Sequence, residues 1–319
     1  MGEPAGHALR QRTSELDVDV VICTYRSRHH IGACLDSLRD GGATVRSITV
    51  VDNDSDDGTA DLAATHDLGV TTVRMGRNAG FARAVNRGIA AGRGRYVFVL
   101  NPDTLVAPAV LPELVRFADA HPDAGVVAPR LRYADGRDQL TARAFPTPAA
   151  ALFGRRSPLT RLWPTNPWST RFLSGRAHTG PEPFEVDWVS GAAMLVPRAV
   201  IERVGAFDEG FFLFWEDADW CRRIRDAGHA VWCLPAVTVT HHEGGSRNSG
   251  WSRATISSFH RGAYRYWAKH HAPRPWQPSR WLAAALLAAR AAVLLAWATA
   301  HRRPSDDRTG PPGLEGTRP

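Results

Sequence analysis

The 319-residue chain is poor in lysine: Lys269 is the only one among 39 lysines and arginines. A Gly-Lys-Ser/Thr phosphate loop is thereby excluded, because Lys269 follows Ala268 and that loop needs its lysine after a glycine. The same scarcity argues against Schiff-base chemistry. Cysteine is also scarce. Cys23, Cys34, Cys221 and Cys233 form no Cys-x-x-Cys pair, and two of them lie inside apolar runs, so they read as buried thiols of a reducing compartment. No Gly-x-Gly-x-x-Gly follows the first strand-like run, which sets dehydrogenases aside. His241-His242-Glu243-Gly244-Gly245-Ser246 has serine where a zincin needs its second histidine. Met1 to Asp17 lacks the apolar stretch of a signal peptide. The expectation is a catalytic part that works in the cytoplasm.

What remains is an arginine-rich chain with a formal net charge of +7 and 44% hydrophobic residues, enough apolar content for a sizeable core. Arginine's planar fork suits phosphate, whether in nucleic acid, anionic lipid or a phosphorylated substrate. Nucleic acid is the poorest match of the three. The arginines are scattered and the aromatics cluster around acids, which repel a phosphate backbone.

Strand-like and helix-like patterns alternate along the chain. Residues 19–23 read as a buried strand, after which Ile31, Cys34, Leu35 and Leu38 recur at helical spacing until Gly41-Gly42. Strands over 48–51, 70–73 and 96–100 then alternate with helices over 59–64 and 81–91. Such alternation predicts an α/β fold, a Rossmann-like, mostly parallel sheet flanked by helices. Beyond a helix over 110–120 and a strand over 125–128, the pattern breaks into a stretch rich in Pro, Arg and Thr at 129–183, expected to handle an acceptor. Periodicity returns with a strand over 188–196, helices over 198–204 and 216–227, strands near 230–233 and 237–240, and a helix over 252–270. Tails at 1–16 and 301–319 read as disordered. They leave one catalytic domain over 17–272 and a helical extension over 273–300.

In an open parallel sheet, ligands bind beyond the carboxyl ends of the strands. Those ends hold Thr24-Tyr25-Arg26, the acid-rich run from Asp52 to Thr59, and Asn101-Pro102-Asp103-Thr104. Together they make a polar pocket able to take a base, a ribose and a divalent metal. Asp57, before Gly58-Thr59, reads as a turn and helix cap. Asp52, directly after a buried run, and Asp103, at a strand terminus, read as ligands.

A second constellation runs from Phe211 to Trp220, where Glu216, Asp217 and Asp219 open a helix behind an aromatic run. Acids favour helix N-termini for dipole reasons alone. Asp217, however, shares a face with Cys221 and Ile224, so it points inward. An inward carboxylate beside Trp215 and Trp220 is desolvated, which raises its pKa and makes it a better base. Asp219 and Glu216 are expected to pair with arginines or touch the acceptor. His241 and His242 are candidate metal ligands as neutral imidazoles.

In sequence, Cys23-Thr24-Tyr25, Val51-Asp52-Asn53-x-Ser55-x-Asp57-Gly58-Thr59, Asn78-x-Gly80-Phe81-Ala82 with Asn86, Leu100-Asn101-Pro102-Asp103, Ser190-Gly191-Ala192, Phe207-Asp208-Glu209, Trp215-Glu216-Asp217-x-Asp219 and the His241 to Ser246 segment form an ordered set. By these motifs, over roughly Val18 to His271, the chain resembles family-2 glycosyltransferases of the GT-A fold, above all their rhamnosyltransferase-like members. The resemblance implies that Thr24, Tyr25 and Asp52 hold a pyrimidine base, with Asn78 and Asn86 near the diphosphate and sugar and Asn101 on the donor side. It implies a divalent metal, Mn2+ or Mg2+, on Asp103 and on His241 or His242, and Asp217 as general base. Trp215, Glu216, Asp219, Gly191 and His242 would line or support the acceptor side. One departure stands out: the family's Asp-x-Asp has Asn101 in its first position here, leaving Asp103 as the one carboxylate ligand.

The expected reaction is a single displacement with inversion. The metal takes the charge of the leaving diphosphate and one carboxylate deprotonates the acceptor hydroxyl, whereas a hydrolase needs paired carboxylates or a nucleophile with its base. Rhamnose from a dTDP donor is the leading candidate, ahead of galactofuranose, mannose and N-acetylglucosamine. The acceptor would be a glycan or a polyprenyl-diphosphate-linked sugar. A noncatalytic module that binds nucleotide sugars or glycans is the rival from another class. The run from Trp281 to Ala300 is apolar and long enough for a bilayer, but Arg290 sits at its middle, and a central arginine costs about 2.5–3.5 kcal/mol on insertion scales. It fits an interfacial helix at the inner face of the plasma membrane, or a helix packed on the catalytic domain, better than a span. Oligomeric state is left open.

Overall fold

The computed structural model describes residues 15–39, 44–139, 141–146, 162–164, 180–242 and 252–300. Residues 1–14, the tail at 301–319, most of the 129–183 stretch and Glu243 to Ser246 lie outside the described residues, while Glu15 and Leu16, expected in the first tail, open a strand paired with the segment from Thr44. In chain order the elements are β1 (Glu15–Thr24), α1 (Arg28–Arg39), β2 (Thr44–Asp52), α2 (Thr59–Ala64), β3 (Thr71–Arg74), α3 (Phe81–Ala91), β4 (Tyr96–Leu100), β5 (Thr104–Val106), α4 (Val110–Ala120), β6 (Ala124–Arg132), β7 (Ala142–Arg143) and β8 (Phe184–Glu185). They continue with β9 (Trp188–Val189), β10 (Ala193–Pro197), α5 (Arg198–Val204), α6 (Glu216–Asp226), β11 (Ala230–His241), α7 (Arg253–His270) and α8 (Pro278–Ala300).

Among the described residues, the main sheet runs β3-β2-β1-β4-β10-β6-β11-β5, with β8 added on β11, and β7 pairs with β9 in a separate ribbon. β1 to β4 are mutually parallel, and β6 is parallel to β11. β10 enters between β4 and β6 antiparallel to both. That reversal positions the site. The carboxyl ends of β1, β2 and β4 share one edge of the sheet, and an antiparallel neighbour brings its amino end, with Gly191 and Ala192 just before it, to the same edge.

Side chains alternate across each strand, so Val20 and Ile22 join α1, α2 and α4 in one core, while Val21 and Cys23 join α3, α5 and α6 in the other. Helices therefore cover both faces, as the alternating pattern predicts. Asp19 is the exception inside β1, buried yet charged. Arg198 at 2.8 Å, the Ser47 hydroxyl at 2.6 Å and the Gly94 amide compensate it, as a carboxylate out of water requires.

Three local expectations are corrected. The strand expected over 188–196 is two strands, broken at Ser190 to Ala192, where the chain leaves the β7–β9 ribbon for the main sheet. The strands expected near 230 and 237 are one, β11, whose register shifts between Leu234 and Thr238; Pro235 lacks the amide that the ladder would use there. β5 was not expected at all. Three residues long, it shows no period of its own and exists by pairing with β11.

α8 packs along α7 and leaves an apolar flank in solvent, with Trp281, Leu282, Leu286, Val293 and Trp297 all exposed. It is long and apolar enough to cross a membrane, with a mean hydropathy of 1.8 over Pro278–Thr299. The Arg290 guanidinium lies 5.8 Å from the centre of the Phe259 ring on α7.

Candidate active site

The first part of the site is built by strand register. Thr24 and Asp52 are paired residues of β1 and β2, and the Thr24 hydroxyl donates to Asp52 Oδ1 at 2.9 Å. Ser55 donates to the same carboxylate through its hydroxyl at 2.6 Å and its amide at 2.9 Å. Asp52 is buried, so it shapes the loop beneath an exposed Tyr25 instead of offering a free carboxylate. Asp57 takes the amide of Thr59 at 3.0 Å, a turn contact ahead of α2, whose N-cap is Gly58 and not Asp57.

The Asn78 and Asn86 side chains both bond to backbone. The Asn78 side chain accepts from the Gly80 amide at 3.1 Å, turning the chain into α3. The Asn86 carboxamide clasps the backbone of Phe207, donating to its carbonyl at 2.9 Å and accepting from its amide at 3.0 Å. Both amides hold segments in place, and the clasp commits Asn86 to Phe207 in preference to a diphosphate. Gly80 has φ +89, and an added Cβ would come 2.5 Å from the Phe212 carbonyl, which accepts the Phe81 amide at 2.7 Å. Only glycine tolerates that backbone and that approach.

β5 and β11 assemble the second part. Their register sets His241 opposite Thr104, and His241 Nε2 lies 3.2 Å from Asp103 Oδ1 and 3.3 Å from Asn101 Nδ2. His242 does not share this geometry. Its amide donates to the Asp103 carbonyl at 2.8 Å, and its ring faces His30, 6.1 Å between centroids. Burial pushes the Asp103 pKa up, but the hydrogen bond and charge of His241 outweigh it, and the net shift is downward. Ionised at neutral pH, Asp103 with an imidazole nitrogen beside it suits a divalent ion of the Mn2+ or Mg2+ type. No group of three or more His, Cys, Asp or Glu capable of holding a metal occurs among the described residues. Such ions are commonly held by one or two protein ligands plus substrate phosphates, and this pair fits that mode.

Asp217 completes the edge. Its carboxylate accepts from the Gly191 amide at 3.1 Å and the Ala218 amide at 2.8 Å. Burial raises its pKa, opposed by those two amides and by the charge of Arg143. The helix that carries it starts from two consecutive left-handed residues, Phe214 at φ 70 and Trp215 at φ 74, a strained entry of the kind that accumulates at functional sites. Asn101 donates its amide to the Ala192 carbonyl at 2.9 Å. Asp217, Gly191, Ala192, Asn101, His241 and Asp103 therefore follow one another along a single edge of the sheet.

The other acids of α6 look elsewhere. Asp219 is fully buried and binds Arg223 at 2.9 Å, Lys269 at 2.8 Å and His270 at 2.7 Å. Burial raises its pKa, but His270, Lys269 and Arg223 outweigh it and the net shift is downward. It supports the site and cannot reach an acceptor. The chain's single lysine bridges from here to Asp208, also at 2.8 Å, tying α7 to α6 and to the Phe207-Asp208-Glu209 loop. Gly262 lets α7 come this close, since a Cβ there would sit 2.9 Å from the Phe214 carbonyl. Glu216 is buried, close enough to Cys23 for its charge to help keep that thiol protonated. Burial pushes all four thiols up to about 12, leaving them unreactive.

Sequence reasoning missed two residues at this edge. Gln139 grips His241, and Arg143 on β7 lies over the Trp188 ring at 4.9 Å while its charge reaches Asp217. Neither carried a signal, because each sits inside the irregular stretch and acts through partners far along the chain.

A mostly parallel sheet with one reversed strand feeding its ligand edge defines the class: a glycosyltransferase of the GT-A fold. The mannosyltransferase PcManGT from Pyrobaculum calidifontis, solved in complex with GDP-Man and Mn2+, shares this fold with a TM-score of 0.56, covering 91% of this chain and 77% of its own at 21% identity. The chain belongs to glycosyl transferase family 2, whose pattern matches residues 19–180. It is 32% identical to the N-acetylglucosaminyl-diphospho-decaprenol L-rhamnosyltransferase of Mycobacterium tuberculosis over 86% of this chain and 92% of that protein. It is 26% identical to a low-salt glycan biosynthesis hexosyltransferase of Haloferax volcanii over 73% of this chain and 69% of that protein.

Proposed function

We propose that this glycosyltransferase moves rhamnose from dTDP-rhamnose, with inversion, onto a polyprenyl-diphosphate-linked sugar in cell-wall or surface polysaccharide synthesis. The observation that carries the reading is the shared edge on which the Asp103–His241 pair and the desolvated Asp217 are linked through Asn101, Ala192 and Gly191. The 32% identical rhamnosyltransferase supports the choice of sugar and acceptor.

Thr24, Tyr25 and Asp52 would seat the base, with Asn101 beside the diphosphate and Asn78 and Asn86 shaping the wall. Asp103 and His241 would hold a divalent ion, which when bound neutralises charge developing on the departing diphosphate. Asp217, held by the Gly191 and Ala218 amides, receives the proton of the acceptor hydroxyl as that oxygen attacks the anomeric carbon. One base suffices, since the leaving group departs as an anion and needs no proton. Trp215 and Gly191 would border the acceptor.

The exposed flank of α8 supports a place at the inner face of the plasma membrane, where a lipid-linked acceptor resides. From Ser252 to Ala300 the chain has arginine, lysine and histidine but no Asp or Glu, a charge balance that attracts anionic lipid. The full chain should co-sediment with anionic vesicles, and a Trp281→Glu, Trp297→Glu double variant should not; equal sedimentation of the two contradicts the lipid contact.

Transfer is tested by incubating the protein with dTDP-rhamnose, Mn2+ and a polyprenyl-diphosphate N-acetylglucosamine. A rhamnosylated lipid of inverted anomeric configuration is expected. Turnover with another nucleotide sugar and none with dTDP-rhamnose contradicts the choice of donor.

A further inference from the structure

Gln139 is a buried residue with no role in the reaction scheme. Its carboxamide meets His241 twice. Gln139 Nε2 donates to the His241 backbone carbonyl at 2.6 Å, and Gln139 Oε1 lies 2.7 Å from His241 Nδ1. A carbonyl oxygen can only accept, so the amide nitrogen must face it, and the orientation of the carboxamide follows. Oε1 then faces Nδ1, and Nδ1 must carry the hydrogen. In a neutral imidazole the lone pair is left on Nε2, the atom 3.2 Å from Asp103 Oδ1. Two acceptor atoms that close need a positive charge between them, either a proton on Nε2 shared with Asp103 or a divalent cation in its place.

Gln139 is itself fixed. Its amide donates to the Leu131 carbonyl at 3.0 Å, the Thr141 hydroxyl accepts the Leu131 amide at 2.6 Å, and Arg132 and Asp138 form an isolated bridge. The turn from Tyr133 to Arg137 thereby closes back on β6 and delivers the carboxamide to the end of β11.

We infer that Gln139 is a positioning residue, which locks His241 in its Nδ1–H tautomer and so presents Nε2 with Asp103 to a divalent cation. The inference rests on the reading of His241 as an ion ligand. Partners of this kind, set behind metal-bound histidines, typically change metal affinity 10–100-fold when removed.

Two measurements test it on the full chain. Nitrogen NMR of labelled histidine in the unaltered protein should show His241 with a protonated Nδ1, its Nε2 either bare or protonated toward Asp103; a bare Nδ1 overturns the inference without any variant. Mn2+ binding in the presence of dTDP should then weaken about 10–100-fold in Gln139→Leu, with the thermal midpoint showing that the variant is folded. If His241→Ala weakens Mn2+ binding and Gln139→Leu does not, the inference fails while the ligand reading stands. If His241→Ala binds Mn2+ as well as the unaltered chain, the ligand reading fails instead.

Discussion

The two halves of the site are made by different means. The proposed nucleotide side is built on Thr24 and Asp52, which end adjacent parallel strands, so each lies at the end of its own hydrophobic run. The side with Asp217 and His241 comes from chain reversals. β10 runs against β4, β5 against β11, and β7 against β9, and contacts there join residues from about fifty to well over a hundred positions apart. Parallel strands with crossover helices make local, periodic sequence. Short antiparallel insertions make geometry that no local pattern announces.

The contrast is broken most severely at Asp217. Asp217→Asn keeps the shape but removes the base and leaves one acceptor oxygen for the two amides that Asp217 now accepts, and should lower kcat by about 10²–10⁴-fold in steady-state assays while the protein stays folded. Asp219→Ala should act through the fold instead. It leaves Arg223, Lys269 and His270 crowded without their carboxylate, a loss of about 3–5 kcal/mol in denaturant unfolding. Acid should mimic it. Because the pKa of Asp219 is held low in the folded state, its stabilisation is present above the unfolded carboxylate value of about 3.9 and is lost as pH falls through the folded value.

A smaller effect tests the seam between the halves. Gly80→Ala forces a side chain into a positive-φ position against Phe212 and should cost about 1–3 kcal/mol, read as a lower thermal midpoint. The smallest change sharpens the electrostatics. Asp217 is raised by burial, so the acid limb of kcat/KM should fall above the ordinary aspartate range, activity dropping as pH decreases through it. Arg143→Gln removes an opposing charge and should move that limb to higher pH. A limb that stays put means Arg143 does not tune the base.

Much of this was legible in the sequence. The alternation from Asp19 to Leu100 announced the sheet, and the helical face shared by Asp217, Cys221 and Ile224 announced an inward carboxylate; both are found, with Cys221 and Ile224 fully buried. The acids of the Trp215 to Trp220 segment, though, could not be told apart by spacing. Asp219 turned out to be the anchor of an ion-pair cluster because Lys269 and His270 come to it from α7, fifty residues on. The choice between His241 and His242 waited on β5, a strand too short to have a period. Asn86 looked like a donor contact by its place in the motif, yet its amide is matched on both sides by Phe207. In each case the missing information was a long-range pairing.

The central claim is that the ion pair and the base face one substrate. A crystal structure of the full chain with Mn2+ and an unreactive analogue of dTDP-rhamnose tests it most directly. The account requires the ion between the diphosphate, Asp103 and His241 Nε2, with Asp217 on the far side of the anomeric carbon from the diphosphate. An ion bound elsewhere, or Asp217 on the same side as the leaving group, contradicts it.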